Sequence, residues 1–377
     1  MIDKKKFILI PDSFKGTLSS ARICELISDK INKIFNKSEI ISLPVADGGE
    51  GTVDCFLAAT DGEKVFTRAS DPFGEKINAY YARFGDTAVI ETAATAGLPL
   101  VENRKNPLKA STYGLGEQIT HAVSSGAKKI IIGLGGSCTN DFGCGAACAL
   151  GARFYDKDGR SFVPTGETLI NIEKIELGGV KTKGVFITAM CDVDNPPFGE
   201  NGAARVFAPQ KGADEAAVKL LDAGVKHVCE VIKRDFGTDY SELKGGGAAG
   251  ALGAGARFFL GAELKSGIST VLDTLGFDEK IKGADYIFTG EGKIDGQSLR
   301  GKVVAGVAER AEKAGVPVIA IVGGADGDMT ELYAAGVTAV FPINRLPQDF
   351  SVSRRYSEEN LSRTAEDVLR LLKVLSR

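Results

Sequence analysis

Residues 6–16 read KFILIPDSFKG, an apolar run that is followed at once by a polar turn containing glycine. The run Lys6–Ile10 is typical of a short buried strand. Apolar residues then recur at helical spacing over Ser19–Phe35, and Glu39–Leu43 is a second strand-like run. A helix over Thr52–Ala59 completes a βαβα opening, which predicts a parallel sheet with right-handed crossovers.

The last third of the chain repeats this alternation of strands and helices. It predicts strands at Tyr286–Thr289, Val316–Val322 and Ala339–Ile343, and helices at Ser269–Ile281, Lys302–Ala314, Met329–Ala335 and Ser357–Leu375. Because both ends of the chain share one rhythm, we predict a discontinuous Rossmann-like domain with a parallel sheet, built from residues 1–65 and 270–377.

The middle of the chain has a different texture. It predicts strands at Lys64–Ala69, Ile77–Phe84, Thr87–Thr92, Lys129–Leu134 and Val185–Met190, and helices at Thr112–Ser124, Cys144–Phe154 and Asp214–Phe236. Residues 66–269 are therefore predicted to form an inserted, mixed α/β domain. We expect the active site in the cleft between the two domains, where ligands commonly bind.

The composition argues against several classes of protein. The 377 residues carry a formal net charge of −3 and no basic block, so we expect no nucleic-acid partner. No apolar stretch approaches the length of a membrane span, so we expect no membrane partner. The seven cysteines are odd in number and form no CxxC pair, which indicates free thiols in a reducing compartment and predicts a cytoplasmic location.

Four polar, glycine-containing segments follow strands, where ligands of α/β sheets bind. The first, PDSFKG at residues 11–16, contains Asp12, Ser13 and Lys15. An ammonium such as that of Lys15 can neutralise a phosphate or a carboxylate as a point charge. An ordinary surface turn would have a similar composition, so this segment alone decides nothing.

The second segment, DGGEGT at residues 47–52, places Asp47 and Glu50 around Gly48 and Gly49. Glycines leave backbone amides free to face an anion, and the start of a helix adds positive potential. Two carboxylates would repel a bare phosphate, but they suit a magnesium ion that bridges carboxylates and phosphate oxygens.

The third segment, GLGGSCTND at residues 133–141, offers backbone amides, hydroxyls and an amide side chain before a helix. Its candidate binding residues are Gly135, Gly136, Ser137 and Asn140. These groups suit hydrogen bonding to a phosphate or a polyol. The segment is not a Walker A loop, because no lysine follows its glycines.

The fourth segment, TGEGKIDGQSLRGK at residues 289–302, combines two acids, two lysines and an arginine in one loop. Its candidate site residues are Gly290, Glu291, Lys293, Asp295 and Arg300. Phosphoryl transfer needs this mixture of cations for the moving charge and an acid for a metal ion or a hydroxyl.

Three further segments carry weaker signals. One is QKG at residues 210–212, a weaker candidate that places Lys211 before a glycine. In CDVDN at residues 191–195, Asp192 follows an apolar strand and could hold a metal ion or accept a proton. The run GGGAAG at residues 245–250 matches GxGxxG, but no strand precedes it, so the context of a dinucleotide site is missing. Close packing of a helix through small residues explains that run better.

Six segments together resemble the bacterial glycerate kinase family of the two-domain α/β type. They are PDSFKG (11–16), VADGGEGT (45–52), GLGGSCTND (133–141), CDVDNP (191–196), PQKGA (209–213) and TGEGKIDGQSLRGK (289–302). Their order and their spread over nearly the whole chain make the match specific. The resemblance implies that the γ-phosphoryl group of ATP is transferred to a hydroxyl of D-glycerate, with Mg²⁺ as cofactor.

On this reading, several roles stay open between candidates. The catalytic candidates are Lys15 and three acids that could accept the hydroxyl proton, Asp47, Asp192 and Asp295; the metal candidates are Asp47, Glu50 and Asp192; and the substrate carboxylate candidates are Lys15, Lys293 and Arg300. The sequence does not decide between the 2- and 3-hydroxyl of glycerate, or whether the chain forms a homodimer. The rival hypotheses are an NAD-dependent hydroxy-acid dehydrogenase and a non-catalytic sugar-acid sensor.

Overall fold

The structure is a computed structural model that describes residues 4–46, 48, 49, 51–294 and 303–375. The chain divides into two compact units. The terminal unit contains residues 1–47, 54–61 and 267–377, and the inserted unit contains residues 48–53 and 62–266. The stretch 48–53 thus groups with the inserted unit, whereas the sequence assigned it to the terminal domain. Whether the units are domains with the boundaries 65/66 and 269/270 stays a prediction.

The strands and helices are labelled in chain order. The strands are β1 (Lys5–Pro11), β2 (Ser38–Ser42), β3 (Glu63–Ser70), β4 (Lys76–Phe84), β5 (Thr87–Glu91), β6 (Lys129–Gly133), β7 (Arg153–Tyr155), β8 (Ser161–Phe162), β9 (Lys174–Glu176), β10 (Phe186–Met190), β11 (Glu263–Lys265), β12 (Tyr286–Gly290), β13 (Lys293–Ile294), β14 (Val318–Val322), β15 (Gly324–Ala325) and β16 (Val337–Pro342). The helices are α1 (Ser20–Ile34), α2 (Thr52–Ala59), α3 (Ala93–Ala96), α4 (Tyr113–Ser124), α5 (Cys144–Ala149), α6 (Ala203–Phe207), α7 (Glu215–Phe236), α8 (Ala248–Leu260), α9 (Gly267–Thr274), α10 (Phe277–Lys280), α11 (Val303–Ala314), α12 (Thr330–Ala334), α13 (Phe350–Ser353) and α14 (Ser357–Leu375).

The terminal unit is built on a five-stranded sheet in the order β16-β14-β12-β1-β2, and every pair is parallel. The predicted doubly wound parallel sheet is therefore confirmed. In order of appearance within the unit, the strands follow the pattern 2-1-3-4-5, so the direction of winding reverses between β1 and β12. Such a switch point opens a crevice at the carboxyl ends of the two strands.

Helices α1 and α14 cover one face of this sheet for a reason visible in the sequence. Ile23, Ile27 and Ile31 recur at helical spacing in α1 and are buried against Phe7 and Leu9 of β1. The amphipathic helix α14 contributes its own apolar stripe to the same cluster. Helix α11 packs with alternate residues of β14 in a second cluster, so the sheet is buried on both faces.

The inserted unit contains a six-stranded mixed sheet in the order β11-β10-β6-β5-β4-β3. Strands β3, β4 and β5 pair antiparallel, and β5, β6, β10 and β11 pair parallel. The predicted mixed α/β architecture is therefore confirmed. The four parallel strands bring the segments that follow Glu91, Gly133, Met190 and Lys265 to one edge of the sheet.

The run at residues 245–250 leads into α8, where small residues allow close backbone contact. An added Cβ at Gly250 would lie 2.0 Å from the carbonyl oxygen of Thr139, and one at Gly247 would lie 2.3 Å from that of Pro196. The interpretation of this run as a packing element is confirmed. Its backbone is also strained, because Ala249 and Ala251 have φ values of 54° and 66°.

Two helix predictions were wrong, each because a glycine ends the helix early. The helix predicted over Cys144–Phe154 stops at Ala149, and β7 begins at Arg153, because Gly151 has φ 110° and packs against the backbone of Gly179. The helix predicted over Ser269–Ile281 is divided into α9 and α10 at Gly276, which has φ 62°. In the described part of the chain, no helix is both long enough and apolar enough to cross a membrane.

Candidate active site

A cavity of about 750 Å³ opens at the switch point of the terminal sheet. The residues that carry its chemistry are Asp12, Ser13, Lys15, Glu291, Lys293 and Phe350. The first and fourth sequence segments therefore meet in one pocket although about 280 residues separate them, as parallel pairing of β1 with β12 requires. The remaining wall comes from β15, from residues that follow β14 and β16, and from α11, α13 and α14.

Asp12 and Glu291 are buried carboxylates at the base of this pocket, each 8% exposed. The amide of Asp12 donates to the carbonyl of Gly290 at 2.7 Å, which continues the pairing of the strands into the turns. The amide of Ser13 donates to Oδ1 of Asp12 at 2.6 Å, which fixes the first turn. Both acids are oxygen donors that suit a hard cation.

The two lysines of the pocket differ from these acids in exposure. Lys15 is exposed, and so is Lys293, whose ammonium pairs with Asp326 at 3.1 Å. Exposed ammonium groups on flexible stems can follow an incoming anion at small cost, because little desolvation is needed. The lining of the pocket thus combines two buried carboxylates with two exposed ammonium groups.

The second and third segments lie together in the inserted unit. The amide of Gly135 donates to the carbonyl of Gly48 at 3.1 Å, and an added Cβ on Gly135 would meet the Cα of Gly49 at 2.7 Å. Only glycine permits this approach. The amide of Val53, at the start of α2, donates to Oε1 of Glu91 at 2.6 Å and ties the second segment to the end of β5.

A buried lysine, which the sequence offered only as a weaker candidate, supports the third segment, residues 133–141. Lys211 is 3% exposed, and its Nζ donates to Oγ of Ser137 at 2.9 Å and to the carbonyl of Thr139 at 2.7 Å. Burial lowers the pKa of Lys211 to about 8. Its signals in the sequence were its place in the weaker candidate QKG (210–212) and in PQKGA, one of the six segments of the family resemblance.

Asp141 organises the carboxyl end of the same loop. Its carboxylate accepts hydrogen bonds from the amide and the hydroxyl of Thr112 and from the amides of Gly143 and Gly145, at 2.8 to 3.2 Å. Burial raises the pKa of Asp141, and these four donors oppose that rise. All four donors are committed to the fold, so we assign Asp141 a structural role.

Several buried polar groups in the loop and next to it have no partner among the residues that the structure describes. They are the hydroxyls of Thr92, Thr95 and Thr139 and both polar atoms of the Asn140 side chain, which is 1% exposed. The turn that contains Thr92 and Thr95 reaches the loop through a hydrogen bond from the amide of Cys138 to the carbonyl of Ala96, at 2.8 Å. Buried groups of this kind are normally satisfied by water or by a ligand.

Asp192 lies at the same edge of the inserted sheet, directly after β10. The amide of Leu134 donates to the carbonyl of Met190 at 3.4 Å, so the third segment and Asp192 leave neighbouring strands together. The thiol of Cys191 donates to the carbonyl of Val193 at 3.3 Å, and burial raises its pKa. Cys191 is therefore a packed thiol, and all seven cysteines are free, as the sequence predicts.

The candidate residues form two groups, one in each unit. The terminal pocket contains Asp12, Ser13, Lys15, Glu291 and Lys293, next to Gly290; the edge of the inserted sheet contains Gly48, Gly49, Gly135, Gly136, Ser137, Asn140 and Asp192. Asp47, Glu50, Asp295 and Arg300 lie outside the described residues. A site in the cleft between domains stays a prediction. Among the described residues, no group of three or more histidine, cysteine, aspartate or glutamate side chains is placed to hold a metal ion.

Comparison with known proteins gives one consistent result. Residues 7–373 match the model of the glycerate kinase family. The chain is 42% identical to a glycerate kinase of Bacillus cereus over 98% of this chain and 99% of that protein, and 41% identical to the glycerate 2-kinase of Escherichia coli over 98% of each. A crystal structure from Salmonella typhimurium LT2, which carries the provisional name glycerate kinase 2, has a TM-score of 0.88 and 38% identity over 99% of both chains.

Proposed function

The chain belongs to the glycerate kinase family and is an ATP-dependent phosphotransferase with an alcohol acceptor, and we propose that its terminal pocket binds the nucleotide. The reaction transfers the γ-phosphoryl group of ATP to a hydroxyl of glycerate and gives phosphoglycerate and ADP. The nicotinamide-dependent and the non-catalytic alternatives have no support from any of the relatives.

The observation that supports this proposal best is the position of the terminal pocket. It lies at the switch point between β1 and β12, and its volume of about 750 Å³ is within the range of sites for ligands of nucleotide size. Lys15 and Lys293 at its rim would neutralise phosphate charge. Phe350, which is 60% exposed and lines the same pocket, offers an aromatic face for the base.

Mg²⁺ is the proposed cofactor, and the residues present fit it. A magnesium ion bound together with a nucleotide takes one or two protein carboxylates, and phosphate and water oxygens complete its ligands. Asp12 and Glu291 supply such carboxylates in the pocket, and Asp47, Glu50 and Asp192 remain candidates from the second segment and from β10. The ion, when bound, supplies charge neutralisation on the transferred phosphoryl group.

The protein has two further tasks, which are to accept the proton of the attacking hydroxyl and to position the reactants. We propose Asp192, Asp47 or Asp295 for the first task, because each is an acid that follows a strand or lies in a glycine-rich turn. Positioning and charge neutralisation supply most of the reduction in the barrier for this kind of reaction. The backbone amides near Gly48, Gly135 and Gly290 are the proposed anion-binding groups of the turns.

We further propose D-glycerate as the substrate and its 2-hydroxyl as the acceptor, because a relative that is 41% identical carries the name glycerate 2-kinase. The cytoplasm is the proposed location. Purified protein, ATP, Mg²⁺ and D-glycerate should give glycerate-dependent ADP in a coupled assay. In the phosphorus NMR spectrum, the product should show a doublet from one coupled proton rather than the triplet of 3-phosphoglycerate.

Each other result has a definite meaning. A triplet would contradict the proposed regiochemistry and leave the kinase activity intact. Binding of glycerate without release of ADP would favour the sensor, and reduction of added NAD⁺ by glycerate would favour the dehydrogenase.

A further inference from the structure

Lys211 is a buried cation that forms no ion pair with any described residue. Its two hydrogen-bond acceptors, Oγ of Ser137 and the carbonyl of Thr139, are neutral, and no carboxylate of the described residues lies within 4.0 Å of its Nζ. Asp141, the nearest acid of the loop, is occupied by its four donors. A buried charge that lacks a partner destabilises the fold by several kcal/mol.

The surroundings of this cation are also unsatisfied. Asn140 adjoins the residue whose carbonyl Lys211 contacts, and within the described parts of the chain neither polar atom of its buried side chain has a partner. The hydroxyls of Thr92, Thr95 and Thr139 are also buried and also have no partner among the described residues. A ligand that offers an anionic oxygen and hydroxyl groups would complement these donors and acceptors, since an amide and a hydroxyl can each donate or accept.

The loop can present this charge without direct contact with Lys211. Residues 137–141 are buried, whereas Gly136 is exposed and Gly135 is partly exposed. Lys211 therefore lies beneath the loop and Gly136 lies at its surface. In a protein interior of low dielectric, a charge acts over several ångströms, so an anion bound at the exposed glycines experiences the ammonium below.

The single positive charge beneath the loop suits glycerate better than it suits ATP. Lys211 contributes one positive charge, which balances the single carboxylate of glycerate. A triphosphate carries three to four negative charges and needs several cations, and the terminal pocket provides Lys15 and Lys293. The two hydroxyls of glycerate also match the unsatisfied groups beside the loop.

On the basis of the proposed function, we propose that the loop Gly133–Asp141 holds the carboxylate of glycerate, and that Lys211 is the positioning residue that makes the protein prefer this acid to a neutral polyol. Lys211 fixes the loop through Ser137 and Thr139 and supplies the charge that attracts the carboxylate.

The Lys211→Met variant tests this proposal, because methionine keeps an unbranched side chain of nearly the same length and removes the charge. We expect the KM for glycerate to rise by about 10- to 100-fold, as for the loss of a unit charge several ångströms from the carboxylate in a medium of low dielectric, and the KM for ATP to change by less than about twofold. The preference for glycerate over glycerol in kcat/KM should fall by a similar factor. Glycerate should also raise the Tm of the wild-type protein but not of the variant.

Lys105→Met is the matched control. Lys105 is exposed, and its Nζ donates to the carbonyl of Gln210, next to Lys211, at 3.3 Å. This variant also loses a lysine and a hydrogen bond to the backbone, but it keeps the buried charge. Its KM for glycerate should stay within about twofold of the wild-type value, as for surface pairs that contribute little.

Three results would overturn the assignment. A rise in the KM for ATP alone would mean that the loop holds phosphate. An unchanged KM for both substrates, together with a lower Tm, would leave Lys211 only a structural clamp. Absence of any glycerate-dependent shift in Tm for the wild-type protein would exclude a glycerate site. A shift in Tm without release of ADP would instead contradict the proposed kinase function while supporting the loop as a carboxylate site.

The wild-type protein offers a second test that needs no substitution. Lys211 is surrounded by the Cys138 thiol, whose pKa burial raises to about 12, and by Asp141, so Lys211 is the group of this cluster that titrates in mildly alkaline solution. Above its pKa of about 8 the ammonium loses its proton, and the KM for glycerate should rise by about tenfold per pH unit. A KM for glycerate that stays flat from about pH 7 to about pH 10 would contradict the role of this charge.

Discussion

The backbone amide of Asp12 donates a 2.7 Å hydrogen bond to the carbonyl of Gly290, which joins the ends of β1 and β12 where the winding of the terminal sheet reverses. Two turns that are far apart in sequence thereby place their carboxylates, Asp12 and Glu291, in one pocket. The geometry of this pocket depends on close approach of backbones, which makes it sensitive to any side chain added at Gly290.

Gly290→Ala should destabilise the protein by at least about 3 kcal/mol. A Cβ at this position would lie 1.9 Å from the carbonyl oxygen of Ile321 in the neighbouring strand, so the sheet must open to accept it. Urea denaturation measures the loss. Gly178→Ala is the control, because its Cβ meets nothing within 4 Å, and it should stay within about 0.5 kcal/mol. Similar stability of the two variants would show that the strand ends are not closely packed.

Phe350→Ala should raise the KM for ATP about tenfold through loss of a stacking surface for the base, which contributes roughly 1 to 3 kcal/mol in other nucleotide sites. The KM for glycerate should stay within about twofold. Phe66→Ala is the control, since Phe66 is 71% exposed on β3 of the inserted unit. Equal effects of both substitutions on the KM for ATP, or no effect of either, would contradict the proposal that the terminal pocket binds the nucleotide.

Asp192→Asn should lower kcat about 100-fold if Asp192 accepts the hydroxyl proton, because the amide cannot take up that proton. Asp194→Asn, two residues further on at an exposed position, should keep near wild-type turnover. The substitutions Asp47→Asn and Asp295→Asn examine the two other candidates in the same steady-state assay. If all three acids can be replaced with little loss of kcat, none of them is the base.

Asp141→Asn should destabilise the fold by roughly 2 to 4 kcal/mol, since an amide group would oppose at least one of the donors that the carboxylate now accepts. Asp328→Asn is the control, because it makes the same substitution at an exposed aspartate instead of a buried one. Its exposed carboxylate accepts from the amide and the hydroxyl of Thr330, and we expect a much smaller loss of stability than for Asp141→Asn, because water can replace these bonds. Denaturation curves that coincide would contradict the structural role of Asp141.

Local patterns were sufficient to predict much of the terminal unit. Helix α1 begins after Ser19, whose hydroxyl accepts from the amide of Arg22, and its three isoleucines are buried as their spacing predicts. Periodicity and capping depend on residues that are close in the sequence, so a single sequence contains them. The early end of α5 was missed because it depends on the backbone of a distant residue, Gly179, which packs against Gly151.

The same distinction, between local and long-range determinants, applies to the candidate site. The sequence predicted its glycine-rich turns but not the burial of Lys211. Glycine-rich turns that follow strands can be predicted from their composition, as at residues 133–141. Lys211 and Lys105 look alike in sequence, yet one is buried and the other is exposed. The difference arises because residues of the loop, Ser137 and Thr139, reach Lys211 from more than 70 positions away. Such burial is a property of the tertiary structure and leaves no local pattern.

The stability of the ligand-free protein should carry a signature of Lys211 in alkaline solution. Its pKa is about 8 in the folded chain, below the ordinary value of 10.5, so between these values the unfolded chain binds more protons at this residue. Stability from this group therefore rises with pH in that window, by roughly 2 to 3 kcal/mol at about pH 10. Urea denaturation of the wild-type protein and of Lys211→Met at about pH 7 and about pH 10 measures the difference, and contributions from other groups, including Cys138, largely cancel between the two proteins. Saturating glycerate should shrink the wild-type increment, because a bound carboxylate favours the protonated lysine. If the free energy of unfolding depends on pH identically in the two proteins, burial of the Lys211 ammonium does not destabilise the fold. The argument that the site requires an anion would then fail.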